Sequence, residues 1–315
     1  MTIKLGVIMD PIASIHYKKD STLALLWEAS QRHWEIFYFE PGDLFLKDGK
    51  AYGHAKSLKV FRDDKKWFEL GKEKTLDLTE LDIILMRKDP PVDLSYFYVT
   101  QILDFAVQAG VLVANNPQVL RDANEKIFAS QFAECGPPTL ISKNMRDLKE
   151  FLAEQKEIVA KPLHGMGGES VFYLRYPDIN ASVVFELLTQ REKQFAMVQK
   201  FIPEIRSGDK RIILIDGNPV PFALARIPAT NELRGNLAAG AKGIAQPLSD
   251  RDRWICEQVG PYFRDKGLYF VGIDVIGDYL TEINVTSPTC IRELDEQCDL
   301  NISATLLDCL ESRLQ

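Results

Sequence analysis

The sequence predicts a protein of mixed α/β and α+β class, in which an open α/β domain at the N-terminus is followed by a longer region of α+β character. Three observations support this prediction. Apolar runs typical of buried parallel strands alternate with helical patterns up to about residue 122. A new set of strand patterns begins after that point, and a strongly apolar hairpin lies near the C-terminus.

The N-terminal domain starts with a predicted β-α-β unit. Residues 3–9 and 35–39 form apolar runs that predict buried strands, and a helical pattern begins at Ser21 between them. Parallel strands of this kind place ligands at their carboxyl ends. No GxGxxG motif follows the first strand, and this disfavours a dinucleotide-binding domain.

A third buried strand is predicted over residues 81–86, followed by a helix over residues 93–109 and a strand over residues 111–114. Charged residues and two prolines at positions 87–91 directly follow the third strand. This pattern is expected of a binding loop, although an ordinary surface turn explains it equally well from this segment alone.

In the second region, the predicted strands are joined by turns and by a glycine-rich loop. The predicted elements are strands over residues 158–162, 171–174, 196–203, 212–215 and 220–226, a helix from Ser249 to Gly267, and a closing helix over residues 303–310. Gly165, Gly167 and Gly168 allow backbone N–H groups to approach an anion closely, although a flexible turn is an equal alternative. Residues 227–243 are long and glycine-rich, as expected of a functional or disordered loop.

Two arginines are predicted to lie close together in this region. Arg211 and Arg226 fall at the outer ends of two strands joined by the turn at residues 216–217. They can form a fork for a carboxylate or a phosphate, and ordinary surface salt bridges are the alternative.

The apolar hairpin of residues 269–285 contains three oxygen-bearing side chains, Asp274, Glu282 and Asn284. A strict two-residue turn at residues 277–278 would place Asp274 on the face opposite Glu282, whereas a three-residue loop or a bulge would place both on one face. Three such side chains on one face form an oxygen site suited to Mg²⁺. The alternative is that Asp274 caps a turn and Glu282 pairs with a surface arginine.

Composition and charge exclude several other classes of protein. No apolar run reaches about 18 residues, so neither a membrane span nor a signal peptide is expected, and we expect a cytoplasmic protein. A net charge of −7 without a basic cluster argues against nucleic acid as a partner. The five cysteines lack CxxC spacing and are expected to be free thiols.

Taken together, the motifs resemble those of the ATP-grasp superfamily and, more closely, the bacterial-type glutathione synthetases. The superfamily resemblance is carried by Lys126, Lys161, residues 165–168, residues 199–202, Asp274 and residues 282–284. The closer resemblance is carried by residues 87–91, 208–211, 234–240 and 281–289. It covers nearly the whole chain.

The resemblance implies a pre-ATP-grasp domain over residues 1–122 that binds substrate, followed by an ATP-grasp domain over residues 123–315. The ATP-grasp domain would consist of two α+β subdomains that hold ATP between them. These are a lid subdomain over about residues 123–200 and a catalytic subdomain over about residues 201–315, with residues 227–243 as a mobile loop.

The resemblance also implies roles for individual residues. Those implied to bind ATP are Lys126, Lys161, Gly165, Met166, Gly167, Gly168, Gln199, Lys200, Phe201, Ile202 and Asp209. Those implied to hold Mg²⁺, with Mn²⁺ as an alternative ion, are Asp274, Glu282 and Asn284. Those implied to bind substrate are Arg87, Arg211, Arg226, Asn284, Ser287 and Thr289, and the catalytic residues are Arg211, Arg226 and Arg234.

The implied activity is an ATP-dependent ligation of γ-glutamylcysteine and glycine through an acyl phosphate, with release of ADP and phosphate. The resemblance further suggests a homotetramer. The alternatives are another ATP-grasp carboxylate–amine ligase, such as a D-alanine ligase or a glutamate-adding enzyme, and a non-catalytic ATP-binding scaffold. A carboxylate-binding protein that does not use a nucleotide would leave the lysines and the metal residues without a purpose.

Overall fold

The computed structural model describes residues 2–165, 167–230, 232, 235 and 240–314, and the strands in this part of the chain form three sheets. None of the helices in these residues is long and apolar enough to cross a membrane. The division into domains at residue 122, and the assignment of lid and catalytic subdomains, stay predictions.

The first sheet lies in the N-terminal part of the chain. Its strands are β1 (Lys4–Ile8), β2 (Glu35–Phe39), β3 (Leu44–Lys47), β4 (Lys50–Val60), β5 (Phe68–Asp77), β6 (Ile83–Met86) and β7 (Leu112–Ala114), and its helices are α1 (Ser21–Gln31), α2 (Leu94–Gln108) and α3 (Pro117–Asp122). The strand order is β3-β4-β2-β1-β6-β7, with β5 paired to β4. Strands β2, β1, β6 and β7 are parallel, so the predicted β-α-β unit is confirmed.

The connections of this sheet create a crevice between β1 and β6. The chain leaves β1 through α1 to reach β2 on one side, and it leaves β6 through α2 to reach β7 on the other. Because the two connections diverge, the loops after β1 and β6 separate at the carboxyl ends of these strands, where α/β sheets commonly bind ligands. Helices α1 and α2 are capped there by Asp20 and Asp93.

The second sheet is antiparallel and has the order β10-β9-β11-β8. Its elements are β8 (Thr139–Ser142), β9 (Glu157–Pro162), β10 (Phe172–Arg175) and β11 (Ala196–Lys200), with α5 (Met145–Gln155) and α6 (Ala181–Leu188), and the helix α4 (Glu125–Ala129) precedes them. The glycine-rich loop connects β9 to β10, as predicted. An apolar core formed by residues between Leu148 and Val198 belongs to this sheet.

The third sheet is also antiparallel, with the order β14-β13-β12-β15-β16. Its elements are β12 (Asp209–Ile215), β13 (Asn218–Ile227), β14 (Lys242–Pro247), β15 (Phe270–Ile276) and β16 (Tyr279–Asn284), with α7 (Asp250–Asp265), α8 (Ile291–Cys298) and α9 (Ile302–Glu311). Both ends of the predicted loop at 227–243 belong to strands. Most of its central residues lie outside the described part of the chain.

The first and third sheets share their hydrophobic core. One cluster of buried side chains includes Phe39 and Tyr96 from the first sheet region together with Val271 and Ile283 from the third. Burial of apolar area on this scale is the main stabilising contribution to a fold. These two sheets are therefore packed as one unit, whereas the second sheet has its own core.

Asn115 connects the end of β7 to the strands of the apolar hairpin. Its Nδ2 donates hydrogen bonds to the carbonyl oxygens of Phe270 and Val285, both at 2.7 Å, and its Oδ1 accepts one from the Phe270 N–H at 2.9 Å. The Asn115 side chain thus satisfies three main-chain groups at the base of β15 and β16, and Asn115 itself is only 4% exposed.

We expect Asn115→Ala to lower the free energy of unfolding by about 3 kcal/mol, because three buried main-chain groups lose their partners at about 1 kcal/mol or more each. Urea unfolding followed by circular dichroism measures this loss. Asn218→Ala is the matched control, because Asn218 is exposed and, among the described residues, its amide bonds only to the Asp216 carbonyl and the Arg264 guanidinium. Equal stabilities of the two variants would contradict the role given to Asn115.

Candidate active site

A cavity of about 900 Å³ lies between the second and third sheets. Most residues with a predicted role in binding line it: Lys126, Lys161, Gly165, Gly167, Gly168, Gln199, Lys200, Phe201, Ile202, Asp209, Arg211, Arg226, Asp274, Glu282, Asn284, Ser287 and Thr289. Met166 and Arg234 lie outside the described residues. The structure thus brings together side chains from sequence positions more than 160 residues apart.

The hairpin β15–β16 places its oxygen-bearing side chains on one face by means of a bulge. Ile276 pairs with Tyr279 across a two-residue turn, but Asp274 pairs with Glu282 because the register shifts at Thr281. Residues directly opposite each other on antiparallel strands point to the same face. Of the arrangements considered from the sequence, the bulge is therefore the correct one.

Asp274 accepts hydrogen bonds from both predicted arginines. Its Oδ1 lies 2.5 Å from Arg211 Nε, and its Oδ2 lies 3.0 Å from Arg211 Nη2 and 2.9 Å from Arg226 Nη2. All three side chains are at most 8% exposed. Burial acts to raise the pKa of Asp274, but the two guanidinium charges outweigh it and hold this pKa well below its usual value. The prediction that Arg211 and Arg226 lie close together is confirmed.

Asp209 extends this charged group toward the loop between β13 and β14. Its Oδ2 lies 2.5 Å from Arg226 Nη2, while its buried Oδ1 has no hydrogen-bond partner among the described residues. Burial raises the pKa of Asp209 to about 7, although Arg226 opposes the rise. Gly235 leaves no room for a side chain here, because a Cβ atom would lie 2.6 Å from the Asp209 Cβ.

Glu282 faces the two predicted lysines of the second sheet region. Its Oε1 lies 3.4 Å from Lys161 Nζ and 3.8 Å from Lys126 Nζ. Burial acts to raise the pKa of Glu282, but the charges of Lys161 and Lys126 outweigh it, and the pKa is lowered. Both lysines are less than 8% exposed, so each needs either this carboxylate or another anion nearby.

Lys126 also contacts the glycine-rich loop. Its Nζ donates to the Gly165 carbonyl at 3.2 Å and forms an ion pair with Glu125. Gly165, Gly167 and Gly168 have φ values of 113°, 69° and 78°, in the left-handed region that favours glycine. The loop therefore requires glycine at these positions. Lys126 contacts the loop at Gly165.

The other end of the cavity is apolar. Its walls are formed by Val159, Phe172, Tyr173, Phe201, Ile202, Ile205 and Ile276. The rings of Tyr173 and Phe201 have their centroids 4.6 Å apart. Apolar and aromatic walls suit a planar base, while the lysines and glycines at the opposite end suit phosphate groups.

Arg87 does not line the cavity. Its Nε donates to Thr22 Oγ1 at 3.1 Å and its Nη2 donates to the Pro288 carbonyl at 2.9 Å, behind the loop that carries Ser287 and Thr289. The side chains of Asp89 and Pro90, from the same predicted binding loop, do line the cavity. A role for Arg87 in substrate binding stays a prediction.

Sequence reasoning did not identify Glu125 as a cavity residue, whereas the position of Cys290 just after the hairpin marked it as the one cysteine that could line a site; both residues line the cavity. Glu125 directly precedes Lys126, the predicted phosphate-binding residue, in the first turn of α4. This position next to Lys126 was the sequence signal that could have identified Glu125. Cys290 is at the N-cap of α8 with a φ of 82°, and burial raises the pKa of its thiol. Only the closeness of Cys290 to the hairpin in sequence indicated its position.

The oxygen side chains of the hairpin fit Mg²⁺. Within the described ranges, no three His, Cys, Asp or Glu side chains form a group that could hold a metal ion alone. Asp274, Glu282 and Asn284 nevertheless supply carboxylate and amide oxygens on one cavity face. Mg²⁺ typically takes one or two carboxylates and completes its shell with phosphates and waters.

The arrangement of the sheets is the ATP-grasp fold. Among solved structures, D-cycloserine synthetase DcsG has a TM-score of 0.68 at 13% identity, covering 99% of this chain and 100% of that one. ATP-grasp ligase PsnB, solved with a minimal precursor, Mg and ADP, has a TM-score of 0.64 at 14% identity and 98% coverage of both chains. These similarities confirm the predicted fold class.

Sequence comparison identifies the family. Residues 3–121 match the family described as "Prokaryotic glutathione synthetase, N-terminal domain", and residues 125–299 match its ATP-grasp domain. Glutathione synthetase of Pseudomonas aeruginosa is 57% identical over 314 residues, covering 100% of this chain and 99% of that protein. The enzymes of Coxiella burnetii and Escherichia coli O157:H7 are 53% and 49% identical, each over 99% of this chain and over 98% and 99% of their own lengths.

The chain belongs to the prokaryotic glutathione synthetase family, and it is an ATP-dependent carbon–nitrogen ligase. The family predicted from the sequence motifs is confirmed. ATP-grasp enzymes use ATP with Mg²⁺. The members of this family act on small-molecule substrates.

The two hairpin carboxylates are expected to differ in their contribution to stability. Asp274→Asn removes the partner shared by two buried guanidiniums, so we expect the free energy of unfolding to fall by about 3–5 kcal/mol. Glu282→Gln should cost less, about 1–3 kcal/mol, because the side chain of Glu282 is 25% exposed and its lysine partners lie beyond 3 Å, although both lysines are nearly buried. Urea unfolding of both variants measures the difference.

The pH dependence of the difference in stability between wild type and Asp274→Asn provides the control. A carboxyl group whose folded pKa is lowered stabilises the fold above its unfolded pKa of about 4, and this stabilisation is lost as the pH falls through the folded value. The gap between wild type and Asp274→Asn should therefore persist at every pH above about 4, with a change in size near pH 7 where Asp209 titrates, and it should narrow toward zero only in strong acid. A gap that closes near neutral pH would contradict the ion pairing described for Asp274.

Proposed function

We propose that this chain activates the cysteinyl carboxylate of γ-glutamylcysteine with ATP and joins it to the amine of glycine. The observation that best supports this reaction is the pair of buried arginines on Asp274, which share one cavity with two lysines and a glycine-rich loop. Phosphoryl transfer and amine attack both develop negative charge, and this cavity concentrates cations where that charge would form.

The carboxylate of the substrate has no good leaving group. A carboxylate cannot expel oxide when an amine attacks, so transfer of the γ-phosphoryl group converts it into an acyl phosphate. Lys126 and Lys161 bind the phosphates, and the backbone N–H groups of the glycine-rich loop cover them. The base of the nucleotide occupies the apolar end of the cavity near residues 199–202, and Asp209 binds the nucleotide as well.

Asp274, Glu282 and Asn284 would hold Mg²⁺, with Mn²⁺ as an alternative ion of similar preference for oxygen ligands. When bound, the ion would neutralise part of the charge of the triphosphate. Lys126 and Lys161, which pair with Glu282 in this structure, would pair with the phosphates instead, and this would leave the Glu282 carboxylate for the ion.

The arginines act on the acyl group. Arg211 stabilises the tetrahedral oxyanion that forms when the amine attacks, and Arg226 holds a substrate carboxylate. Ser287 and Thr289 contribute hydroxyl groups from the loop before α8. Arg234 belongs to the segment 227–243, for which we propose the role of a lid that excludes water from the acyl phosphate.

Two further properties follow from the family resemblance rather than from the cavity. We infer that the protein acts in the cytoplasm and that it assembles as a homotetramer. Light scattering coupled to size-exclusion chromatography measures the mass of the assembly directly.

The first prediction for this reaction is that ADP forms only when ATP, Mg²⁺, γ-glutamylcysteine and glycine are all present. An assay of ADP release with each component omitted in turn measures this requirement. D-alanine, or a peptide with glutamate, replaces the two substrates as the control. Equal turnover with either set would contradict the substrate assignment and leave the ligase class intact.

The second prediction concerns the metal. Glu282→Gln should raise the Mg²⁺ concentration for half-maximal turnover at least tenfold, because an amide oxygen is a weaker ligand than a carboxylate. Glu204→Gln is the matched control, since Glu204 is exposed next to the hairpin turn. The same Mg²⁺ dependence in wild type and Glu282→Gln would remove Glu282 from the metal site.

A further inference from the structure

The side-chain amide of Asn124 joins two separate parts of the molecule. Its Oδ1 accepts hydrogen bonds from the N–H groups of Lys126 and Ile127, both at 3.1 Å, and so caps α4. Its Nδ2 donates to the Leu163 carbonyl at 3.0 Å. Both polar ends of the amide are therefore used, and they hold different segments of the chain.

On one side, Asn124 is attached to the unit formed by the first and third sheets. Phe128 and Ala129 of α4 belong to the core that these sheets share, and α4 packs against β16, the strand that carries Glu282. A helix of five residues is too short to be stable alone, so α4 depends on its packing and on its cap. Lys126 is thus held in place on the third-sheet side of the cavity.

On the other side, Leu163 begins the segment that contains the glycine-rich loop. It directly follows Pro162, the last residue of β9, and it is only 7% exposed. The main-chain carbonyl of a residue this buried needs a hydrogen-bond partner once the strand has ended. The bond from Asn124 supplies this partner, and it fixes the direction in which the chain leaves β9 toward Gly165.

Other contacts across the same gap use groups that are assigned to the nucleotide. Lys126 Nζ donates to the Gly165 carbonyl at 3.2 Å, and Lys161 Nζ lies 3.4 Å from Glu282 Oε1. Both lysines line the cavity, whereas Asn124 and Leu163 are not among the described residues that line it. Phosphates that pair with the two lysines would replace these contacts and leave the bond between Asn124 and Leu163 in place.

We propose that Asn124 is a positioning residue that keeps the glycine-rich loop next to Lys126 while the lysines pair with phosphates. The inference rests on the proposed function, from which it takes the phosphate-binding roles of Lys126 and the loop. The loop N–H groups and the Lys126 ammonium act together only when they converge on the same phosphate oxygens. A loop released at Leu163 would keep its N–H groups but lose their placement. The bond therefore strengthens binding of the phosphates and not binding of the base.

The experiment compares Asn124→Ser with Asn144→Ser in the full-length protein. Serine caps a helix about as well as asparagine does, but its hydroxyl is too short to reach the Leu163 carbonyl as well. Asn144 caps α5 through the Arg146 N–H, so the same change there tests the effect of a replaced cap alone. Isothermal titration calorimetry in the presence of Mg²⁺ measures the Kd of the β,γ-imido analogue of ATP and the Kd of adenosine, which has no phosphate.

We expect Asn124→Ser to raise the Kd of the triphosphate analogue about fivefold, the effect of losing one hydrogen bond between neutral groups. The Kd of adenosine should stay at the wild-type value. In steady-state kinetics, the KM for ATP should rise and the KM for γ-glutamylcysteine should not change. Asn144→Ser should alter none of these values. Asn124→Thr provides the same comparison if Asn124→Ser does not fold.

Two outcomes would overturn the inference alone. If Asn124→Ser lowers the melting temperature but leaves the ratio of the two Kd values unchanged, Asn124 only caps α4. An equal rise in both Kd values would likewise show that the loss is not confined to the phosphates.

Failure of the proposed function gives a different result. A wild-type protein that binds the triphosphate analogue more tightly than adenosine, but does not join γ-glutamylcysteine to glycine, would reject the substrate assignment and leave the role of Asn124 standing. A wild-type protein that binds adenosine and the triphosphate analogue equally well would reject the phosphate site and the inference together.

Discussion

Charge buried in the cavity has to be balanced both before and after substrates bind, and this constraint governs the arrangement of the site. The cations are Lys126, Lys161, Arg211 and Arg226, and the carboxylates that face them are Glu125, Asp209, Asp274 and Glu282. In isolation, any one of these groups would be costly to bury. A triphosphate that arrives with divalent cations adds little net charge, so the partners can be exchanged without leaving a group unpaired.

Strand register determines which of these groups meet. Arg211 of β12 pairs directly with Asp274 of β15, and Asp209 pairs directly with Arg226 of β13. The bulge at Thr281 then brings Glu282 opposite Asp274. A shift of one residue in any of these pairings would turn an arginine or a carboxylate to the opposite face of the sheet, so the electrostatics of the site depend on the hydrogen-bond ladder.

The sequence predicts much of this arrangement because local patterns carry it. The β-α-β unit follows from apolar runs, and the hairpin follows from the turn at residues 277–278 between two apolar strands. The bulge could not be chosen over a three-residue loop, because the choice depends on packing against β12. Sequence patterns also could not predict the burial of Arg87. Its loop has the composition of a binding loop, but the contacts with Thr22 and Pro288 depend on residues distant in sequence.

The separate core of the second sheet has a consequence for how the cavity opens. Residues between Leu148 and Val198 pack among themselves, whereas the opposite wall of the cavity belongs to the core shared by the first and third sheets. Moving the second sheet therefore leaves both cores intact, and it breaks polar contacts that cross the gap, such as that of Lys161 with Glu282. Dissolved salt weakens such polar contacts by screening, whereas it strengthens an apolar core or leaves it intact. Ionic strength therefore acts on the opening of the cavity separately from the folding of the enzyme.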